Sequence, residues 1–242
     1  MDKRDTPREE ELRFFATAPR NCSYLEGRTA ISVFADPNAH LSMSLYGQLA
    51  RFGFRRSGND LYVPACPGCS ECVPVRIPVA EFSRSRSQRK IWNRNSDIDW
   101  QVMTPGYDDD LFELYSEYLA TRHNGGGMDN PDRDDFIQFL TSSWCDSFYL
   151  VGRLQGRPLV VAVTDVMQDA ISAVYTFYDP AQRRRSLGTL AILRQIELAR
   201  EIGSKWLYLG YWIAGSRKMD YKSRFRPMQA YRHGQWMELD QA

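Results

Sequence analysis

From Ser147 onward the hydrophobic pattern is that of strands first and of a helix afterwards. Three segments rich in β-branched and aromatic residues are separated by two-residue links; they are 147–154, 157–167 and 170–178. Links this short predict consecutive antiparallel hairpins. The next segment predicts a helix ended by Gly203, with an apolar face of Ile192, Ile196, Ala199 and Ile202. The very apolar segment 205–213 then predicts a strand inside a sheet.

Earlier segments predict three further helices separated by loops. Leu41, Leu45 and Leu49 recur at helical spacing before Gly53, which is placed to end that helix. The Pro-, Gly- and Cys-rich segment 64–78 predicts a compact loop between short strands. A second helix carries Leu111, Leu114, Tyr118 and Leu119, and a third carries Phe136, Phe139 and Leu140. Asn130 and Pro131 are suited to begin this third helix, and the glycines at 125–127 predict a mobile loop before it.

This order of elements predicts an α+β protein. Three antiparallel strands, a helix and one more strand resemble the core of the GNAT acyltransferase fold, with a mixed, mainly antiparallel sheet. We expect two domains. Residues 1–100 form a small N-terminal α/β domain with the Cys-rich loop, and residues 101–242 form the GNAT-like domain.

The joint between the third strand and its helix is a candidate anion site. In the GNAT fold this joint presents backbone N–H groups and a helix N-terminus to phosphate groups. Here residues 183–189 contain three arginines and a single glycine, and the candidate ligand-binding residues are Arg185, Ser186 and Gly188. The alternative is a basic turn before an ordinary helix.

Charge is segregated along a chain whose formal net charge is only +1. Residues 82–95 contain five cations and no acid, residues 183–185 are all arginine, and the C-terminal segment is again basic. Such clusters produce a local positive field on a nearly neutral protein. No apolar run is long enough to span a membrane, and the charged N-terminus lacks the apolar core of a secretory signal, so we expect a cytoplasmic protein.

The segment from Tyr208 onward combines cations with aromatic rings. Tyr211, Trp212, Tyr221 and Phe225 alternate there with Lys218, Lys222, Arg224 and Arg226. This pairing is typical of grooves that bind single-stranded nucleic acid. It favours an RNA-facing surface over a solvated loop.

Cys66, Cys69 and Cys72 are spaced at two-residue intervals. Thiols at this spacing can point toward one zinc ion or iron–sulfur cluster, with Cys22 as the candidate fourth ligand. The alternative is a reduced loop whose thiols pack against neighbouring strands. An odd total of five cysteines does not suggest a disulfide framework.

Several motifs together resemble the aminoacyl-tRNA–protein transferases, over nearly the whole chain. They are the segments 22–30, 53–58, 66–76, 122–129, 177–180, 210–213, 218–222 and 225–227. Within this family, the chain is most similar to the bacterial aspartate/glutamate leucyltransferases, relatives of the eukaryotic arginyltransferases. One departure is Leu25, which stands where the eukaryotic relatives carry the second cysteine of a Cys-x-x-Cys pair.

The resemblance implies transfer of leucine from leucyl-tRNA to the α-amine of proteins that begin with Asp or Glu, which marks them for degradation in the N-degron pathway. An aminoacyl ester is already activated, so this chemistry needs positioning and oxyanion stabilisation rather than a cofactor. The same fold places the reaction near residues 177–179 and 209–212. The candidate catalytic residues are therefore Tyr178, Asp179 and Tyr211, although Asp179 also suits a turn before Pro180.

Two groups of candidate substrate-binding residues follow from these substrates. Arginine matches a carboxylate with two parallel hydrogen bonds, so Arg55, Arg56 and Arg76 are candidates for the acidic acceptor residue. Lys218, Lys222, Arg224 and Arg226 are expected to face tRNA phosphate, with Trp212 as a stacking partner.

Other functions stay open at this point. Arginyl-tRNA is an alternative donor that no residue excludes. An acetyl-CoA-dependent acetyltransferase would share the fold, but it requires a better-formed phosphate loop. A non-enzymatic RNA-binding or zinc-ribbon module would give the long apolar strand no purpose beyond packing. The sequence indicates neither DNA nor a membrane as a partner.

Overall fold

The computed structural model describes residues 11–122, 130–216 and 218–239 of the chain. Its strands are β1 (Phe14–Ala16), β2 (Arg20–Asn21), β3 (Thr29–Ala30), β4 (Ser32–Ala35), β5 (Arg55–Ser57), β6 (Asp60–Pro64), β7 (Val73–Pro78), β8 (Asp99–Met103), β9 (Ser147–Leu154), β10 (Arg157–Val166), β11 (Ala170–Tyr178), β12 (Trp206–Trp212), β13 (Gln229–Arg232) and β14 (Gln235–Glu238). Its helices are α1 (Met43–Arg51), α2 (Arg86–Arg94), α3 (Asp109–Arg122), α4 (Arg133–Leu140) and α5 (Leu187–Glu201), with short 3-10 turns at Arg183–Arg185 and Asp220–Arg224.

The larger sheet has the strand order β14-β13-β7-β12-β11-β10-β9-β8. β11 and β12 are parallel, and the other neighbouring pairs are antiparallel. The sheet is therefore mixed and mainly antiparallel, as the sequence predicts. The predicted bounds of four strands, β9 to β12, and of the end of α5 are correct to within two residues. The pattern of apolar residues did not predict where α5 begins.

Both faces of β10 are covered, which explains its long apolar sequence. Val161 and Val163 pack in a cluster with residues of α3 and α4, whereas Val160 and Ala162 pack with residues of α5. All four side chains are fully buried. Because side chains alternate across a strand, this pattern places α5 on one face of the sheet and α3 and α4 on the other.

A smaller sheet, β1-β4-β6-β5, packs with α1 in the N-terminal part, and β2 pairs only with β3. Gly53 ends α1 with a φ of 92°, in the region that favours glycine. The predicted boundary at residue 100 falls inside β8, and β7 lies within the larger sheet beside β12. The sheet is thus continuous across that boundary, and a division into 1–100 and 101–242 stays a proposal from the sequence.

Three sequence expectations are wrong in part. Residues 73–78 form a central strand rather than a loop. Its two prolines are tolerated because Pro74 lies opposite a register shift in β12 and Pro78 lies beyond the residues that pair with β13. α4 is capped by Asp132, not Asn130, because Asp132 and Asp135 accept hydrogen bonds from each other's backbone N–H groups. Ile202 is half exposed just after α5 and does not belong to its buried face.

The helix α2 and the hairpin β13–β14 were not predicted. α2 begins at a capping box formed by Ser85 and Gln88, but its strongly basic sequence hides the helical period. The glycine-rich segment at 125–127 lies outside the described residues.

Candidate active site

The two parallel strands of the larger sheet separate halfway along their length. Ala170–Ser172 of β11 pair with Trp206–Tyr208 of β12, and no pairing follows beyond these residues. β11 continues to Tyr178 beside β10, while β12 continues to Trp212 beside β7. A gap therefore opens between the C-terminal halves of these strands, and the predicted reaction region borders it on both sides.

Gly210 shapes the β12 side of this gap. The register between β12 and β7 shifts between Tyr208 and Tyr211, and Gly210 has a φ of 74°. An extra residue at such a bulge turns nearby backbone groups out of the ladder. A glycine inside an apolar strand is the sequence signal for this feature, and the prediction of an uninterrupted strand over 205–213 overlooked it.

Lys222 lies against this bulge. Its side chain is buried, and Nζ donates a 2.6 Å hydrogen bond to the carbonyl oxygen of Tyr211. Burial, followed by the charge of Arg55, lowers the pKa of Lys222 to about 7. This corrects the expectation that Lys222 faces phosphate at an exposed surface, because the 3-10 turn at Asp220–Arg224 directs it inward.

Arg55 is the second buried cation at the bulge. It is 5% exposed, and its guanidinium lies 4.9 Å from the ring centroid of Tyr208 and 5.7 Å from that of Tyr211. It donates to the carbonyl oxygens of Phe54 at 2.8 Å and Gly210 at 3.5 Å. Its Nε is buried and has no hydrogen-bond partner among the described residues.

Neither of these cations has an acidic partner in the part of the chain that the structure describes. Within residues 11–122, 130–216 and 218–239, no carboxylate forms an ion pair with Arg55 or Lys222. Buried charges are normally paired, since an unpaired one loses its hydration without compensation. We refer to Arg55 and Lys222 as the buried cation pair; its uncompensated charge suits an anionic ligand.

The neighbouring Arg56 has the opposite environment. Its Nε and Nη2 donate to the two carboxylate oxygens of Asp165 at 2.8 and 2.6 Å, and both side chains are fully buried. Tyr46 donates a further hydrogen bond to Asp165. Arg56 is therefore not available to a substrate, contrary to the sequence prediction, and instead joins β5 to β10.

Arg76, the third arginine proposed for the acceptor, is held between aromatic rings. Its guanidinium lies 3.6 Å from the ring centroid of Trp206 and 4.2 Å from that of Trp236. Nε donates to Gln229 at 2.9 Å. Burial lowers the pKa of Arg76. These contacts give it a packing role that the sequence did not indicate.

The three candidate catalytic side chains differ in their freedom to act. Tyr211 is buried, and its hydroxyl donates to the carbonyl oxygen of Gly53 at 2.8 Å. A carboxylate oxygen of Asp179 accepts the N–H of Ala181 at 2.8 Å, which is the turn role that its position before Pro180 suits. Both groups are thus bound to backbone atoms, whereas the hydroxyl of Tyr178 is bound by a side chain, so Tyr178 is the one of the three that stays a catalytic candidate.

Tyr178 connects the gap to the start of α5. Its hydroxyl accepts a 2.8 Å hydrogen bond from Arg122, and its ring packs against Tyr118 with a centroid separation of 5.0 Å. A Cβ at Gly188 would lie only 3.2 Å from the ring, so glycine permits this close approach. Arg122 is thus a site residue for which the sequence predicted no role, although it begins the motif at 122–129.

An ion pair fixes the joint before α5, which is formed by residues 183–186. Arg185 binds both carboxylate oxygens of Asp97, at 2.8 and 2.9 Å. Ser186 precedes the helix with a φ of 55°, and its side chain forms no cap. Arg185 is thus committed to Asp97, whereas the first-turn N–H groups of α5, which include that of Gly188, have no acceptor within the helix.

The remaining predicted tRNA contacts differ in exposure. Lys218 and Arg224 are exposed, while Arg226 donates from Nε to the carbonyl oxygen of Ser223 at 2.9 Å. Trp212 is 6% exposed, so it cannot stack on a base in this conformation. Its indole N–H is buried without a partner among the described residues.

The cysteine loop does not form a metal site in this conformation. In the described part of the chain, no group of three or more Cys, His, Asp or Glu side chains is placed to hold a metal ion. The Sγ of Cys66 instead lies 3.4 Å from the backbone N of Ile31. Burial, with smaller effects of Cys66, Cys22 and Cys69, raises the pKa of Cys72 to about 11, so its thiol is protonated at neutral pH. A zinc ion or cluster at these cysteines stays a prediction from the sequence.

The sheet with its separated central strands defines a GNAT-like acyltransferase fold. The structure of FemX superposes with a TM-score of 0.51 at 8% identity, covering 91% of this chain and 85% of that one. No helix among the described residues is both long and apolar enough to cross a membrane.

The chain belongs to the arginine-tRNA-protein transferase family, and it is an aminoacyltransferase. The N-terminal part of that family matches residues 20–90, and the C-terminal part matches residues 110–232. An aspartate/glutamate leucyltransferase of Pseudomonas fluorescens is 44% identical over 229 residues, which are 95% of this chain and 97% of the relative. One of Stenotrophomonas maltophilia is 46% identical over 239 residues, covering 96% and 95% of the two chains. These findings confirm the resemblance and set aside a non-enzymatic module.

Proposed function

We propose that this protein transfers leucine from leucyl-tRNA to the α-amine of cytoplasmic proteins that begin with Asp or Glu, and so marks them for degradation in the N-degron pathway. The similarity to proteins named aspartate/glutamate leucyltransferases supports this reaction. The structural observation that carries the proposal is the buried cation pair, Arg55 and Lys222, beside the gap between β11 and β12.

Arg55 would bind the side-chain carboxylate of the acceptor. Its free Nε and the long 3.5 Å contact of Nη2 with Gly210 leave two N–H groups for a better acceptor. A carboxylate matches two such donors in parallel, and the hydrogen bonds are strengthened by charge. The acceptor would thereby supply the anion that the described residues do not provide.

Lys222 would act on the acceptor in its protonated form. Its pKa of about 7 leaves it about half protonated at neutral pH, and a bound carboxylate would favour the charged form further. A nearby cation disfavours the ammonium form of another amine, because like charges repel. The α-amine of the acceptor, whose usual pKa is about 8, would therefore be neutral and nucleophilic at physiological pH. The buried cation pair thus both selects an acidic first residue and favours the reactive form of its amine.

The transfer itself is an aminolysis of an ester. The neutral amine attacks the leucyl carbonyl carbon, the new C–N bond forms, and the C–O bond to the ribose breaks. The amine loses one proton and the departing ribose oxygen gains one, so no oxidant or reductant is required. Tyr178, whose hydroxyl accepts a hydrogen bond from Arg122, would contact the ribose or the amine, and the strand edges that separate beyond residues 172 and 208 would offer backbone N–H groups to the oxyanion.

The donor's phosphates would be bound around this gap. The start of α5, with Ser186 and Gly188, lies beside Tyr178, and its first N–H groups have no acceptor within the helix. Lys218, Arg224 and Arg226 remain proposed phosphate contacts on either side of Lys222 in the chain.

A transfer assay with rival donors tests the proposal. Peptides identical except for a first residue of Asp, Glu, Arg or Ala are incubated with labelled leucyl-tRNA, arginyl-tRNA or acetyl-CoA. We expect label from leucyl-tRNA on the Asp and Glu peptides. Label from arginyl-tRNA on the same peptides would show that the donor is arginyl-tRNA instead of leucyl-tRNA, and the proposed acceptor would be retained. Acetylation without aminoacyl transfer would refute the proposal.

We expect Lys222→Met to flatten the pH dependence of stability. The pKa of Lys222 is lowered from 10.5 to about 7 in the folded protein, so the unfolded chain binds more protons between these values. The free energy of unfolding of the native protein should therefore rise with pH across this window, and the variant should lack that contribution. Urea denaturation along a pH series measures both slopes; equal slopes would show that the amine titrates normally.

A further inference from the structure

The helix α2 presents a row of cations to solvent. Arg86, Lys90 and Arg94 are spaced four residues apart and therefore lie on one side of the helix, with Arg89 beside them. All four are exposed. No acidic residue occurs between Ser85 and Asn95. Like charges at this spacing destabilise a helix, so packing alone does not account for the row.

Both ends of α2 are joined to other basic segments. At its start, Gln88 donates to the carbonyl oxygen of Arg224 at 3.0 Å. At its end, Arg94 donates to the carbonyl oxygen of Arg184, and Asn95 donates to that of Arg185 at 3.0 Å. These hydrogen bonds bring the cations of α2 into one surface with those of residues 183–185 and of the C-terminal segment around Arg224. We call this surface the basic face; its exposed members are Arg86, Arg89, Lys90, Arg94, Arg183, Arg184 and Arg224.

Among the residues that the structure describes, the basic face has no acidic counterpart. None of its seven members forms an ion pair with a carboxylate in the described ranges. Adjacent arginines that are not members do form such pairs, since Arg84 lies 3.0 Å from Glu197 and Arg185 lies 2.8 Å from Asp97. The acids of this region thus neutralise the surrounding arginines and leave the basic face charged.

We propose that the basic face binds the phosphate backbone of the donor tRNA; this inference rests on the proposed function. The row from Arg86 to Arg94 is about 12 Å long, enough to follow several phosphates of one strand. Its end is fixed to the joint before α5, where Gly188 contacts Tyr178. An RNA strand on α2 would therefore be directed toward the gap between β11 and β12.

The surroundings favour RNA over an anionic membrane. A helix that lies on a bilayer needs an exposed apolar side to insert. The large apolar side chains of α2 are instead partly buried, with Ile91 and Trp92 packed against the core, and no exposed large hydrophobic residue of the described chain lies on α2.

Arg86→Gln combined with Lys90→Gln tests the inference. Both residues are exposed, and glutamine is a good helix former, so the fold should be retained. The matched control combines Arg157→Gln with Lys205→Gln, two exposed cations outside the basic face. Binding of uncharged leucine-accepting tRNA is measured over a range of salt concentrations, with circular dichroism and thermal unfolding to confirm folding.

We expect the α2 variant to lose about 1.4 to 2 from the slope of log affinity against log salt, because two phosphate contacts disappear. The control should keep the native slope. In transfer assays the α2 variant should show a raised KM for leucyl-tRNA and an unchanged kcat at saturation.

A native slope in the α2 variant, or an equal loss in the control, would overturn the inference. So would binding of the native protein to phosphatidylserine vesicles that depends on these two residues while the tRNA slope does not. A failure of the proposed function would give a different result from a failure of this inference. Selective loss of tRNA binding in a protein that transfers no leucine would support the basic face and refute the reaction.

Discussion

Replacing Arg55 by methionine is expected to lower kcat/KM for peptides that begin with Asp or Glu by about a thousandfold, because the acceptor carboxylate would lose its buried partner. The same change should leave the free energy of unfolding unchanged or higher. Arg55 has no carboxylate partner in the described part of the chain and one unsatisfied N–H group, so its burial is unfavourable without substrate. Transfer kinetics and urea denaturation measure the two effects.

Arg55→Lys provides the conservative comparison. It keeps a charge but cannot form two parallel hydrogen bonds, so activity should lie between that of the native protein and the methionine variant. Retention of native kcat/KM in Arg55→Met would refute the assignment of Arg55 as the residue that binds the acceptor carboxylate. A loss of activity that only follows a loss of folded protein would show that Arg55 is structural.

Replacing Arg56 by methionine is expected to lower the free energy of unfolding by about 3–5 kcal/mol, because Asp165 would remain buried without its cation. Urea denaturation measures this change. Adding Asp165→Leu should restore part of the stability, since an apolar pair can replace a buried ion pair. The recovery should be incomplete because Tyr46 then loses its acceptor. An unchanged unfolding free energy in Arg56→Met would contradict the structural role.

The different roles of the adjacent residues Arg55 and Arg56 could not be predicted from the sequence. Nothing in the sequence distinguishes them, because the partner of Arg56 comes from β10, more than a hundred residues later. Alternation along β5 directs the two side chains to opposite sides, but only the folded structure reveals which side contains an acid. The prediction that Lys222 faces tRNA phosphate met a related limit, because the 3-10 turn that carries Lys222 and the Tyr211 carbonyl that accepts its hydrogen bond come together only in the folded structure.

The elements that were predicted well are those with local signals. The strands β9 to β11 are rich in β-branched and aromatic residues and are joined by two-residue links, so their bounds could be predicted to within a residue. β7 was partly missed because its two prolines disfavour a central strand; the bulge opposite Pro74 and the position of Pro78 beyond the residues paired with β13 make them acceptable. α2 was missed because the cations that define its surface obscure its period.

The most direct test of the buried cation pair compares peptides that begin with Asp or Asn, which are nearly equal in shape but differ in charge. The ratio of kcat/KM for Asp over Asn is measured in the native protein and in Arg55→Met. We predict a ratio of at least about a hundredfold in the native protein and one near unity in the variant. A ratio that Arg55→Met leaves unchanged would contradict the account, because the acidic residue would then be recognised elsewhere.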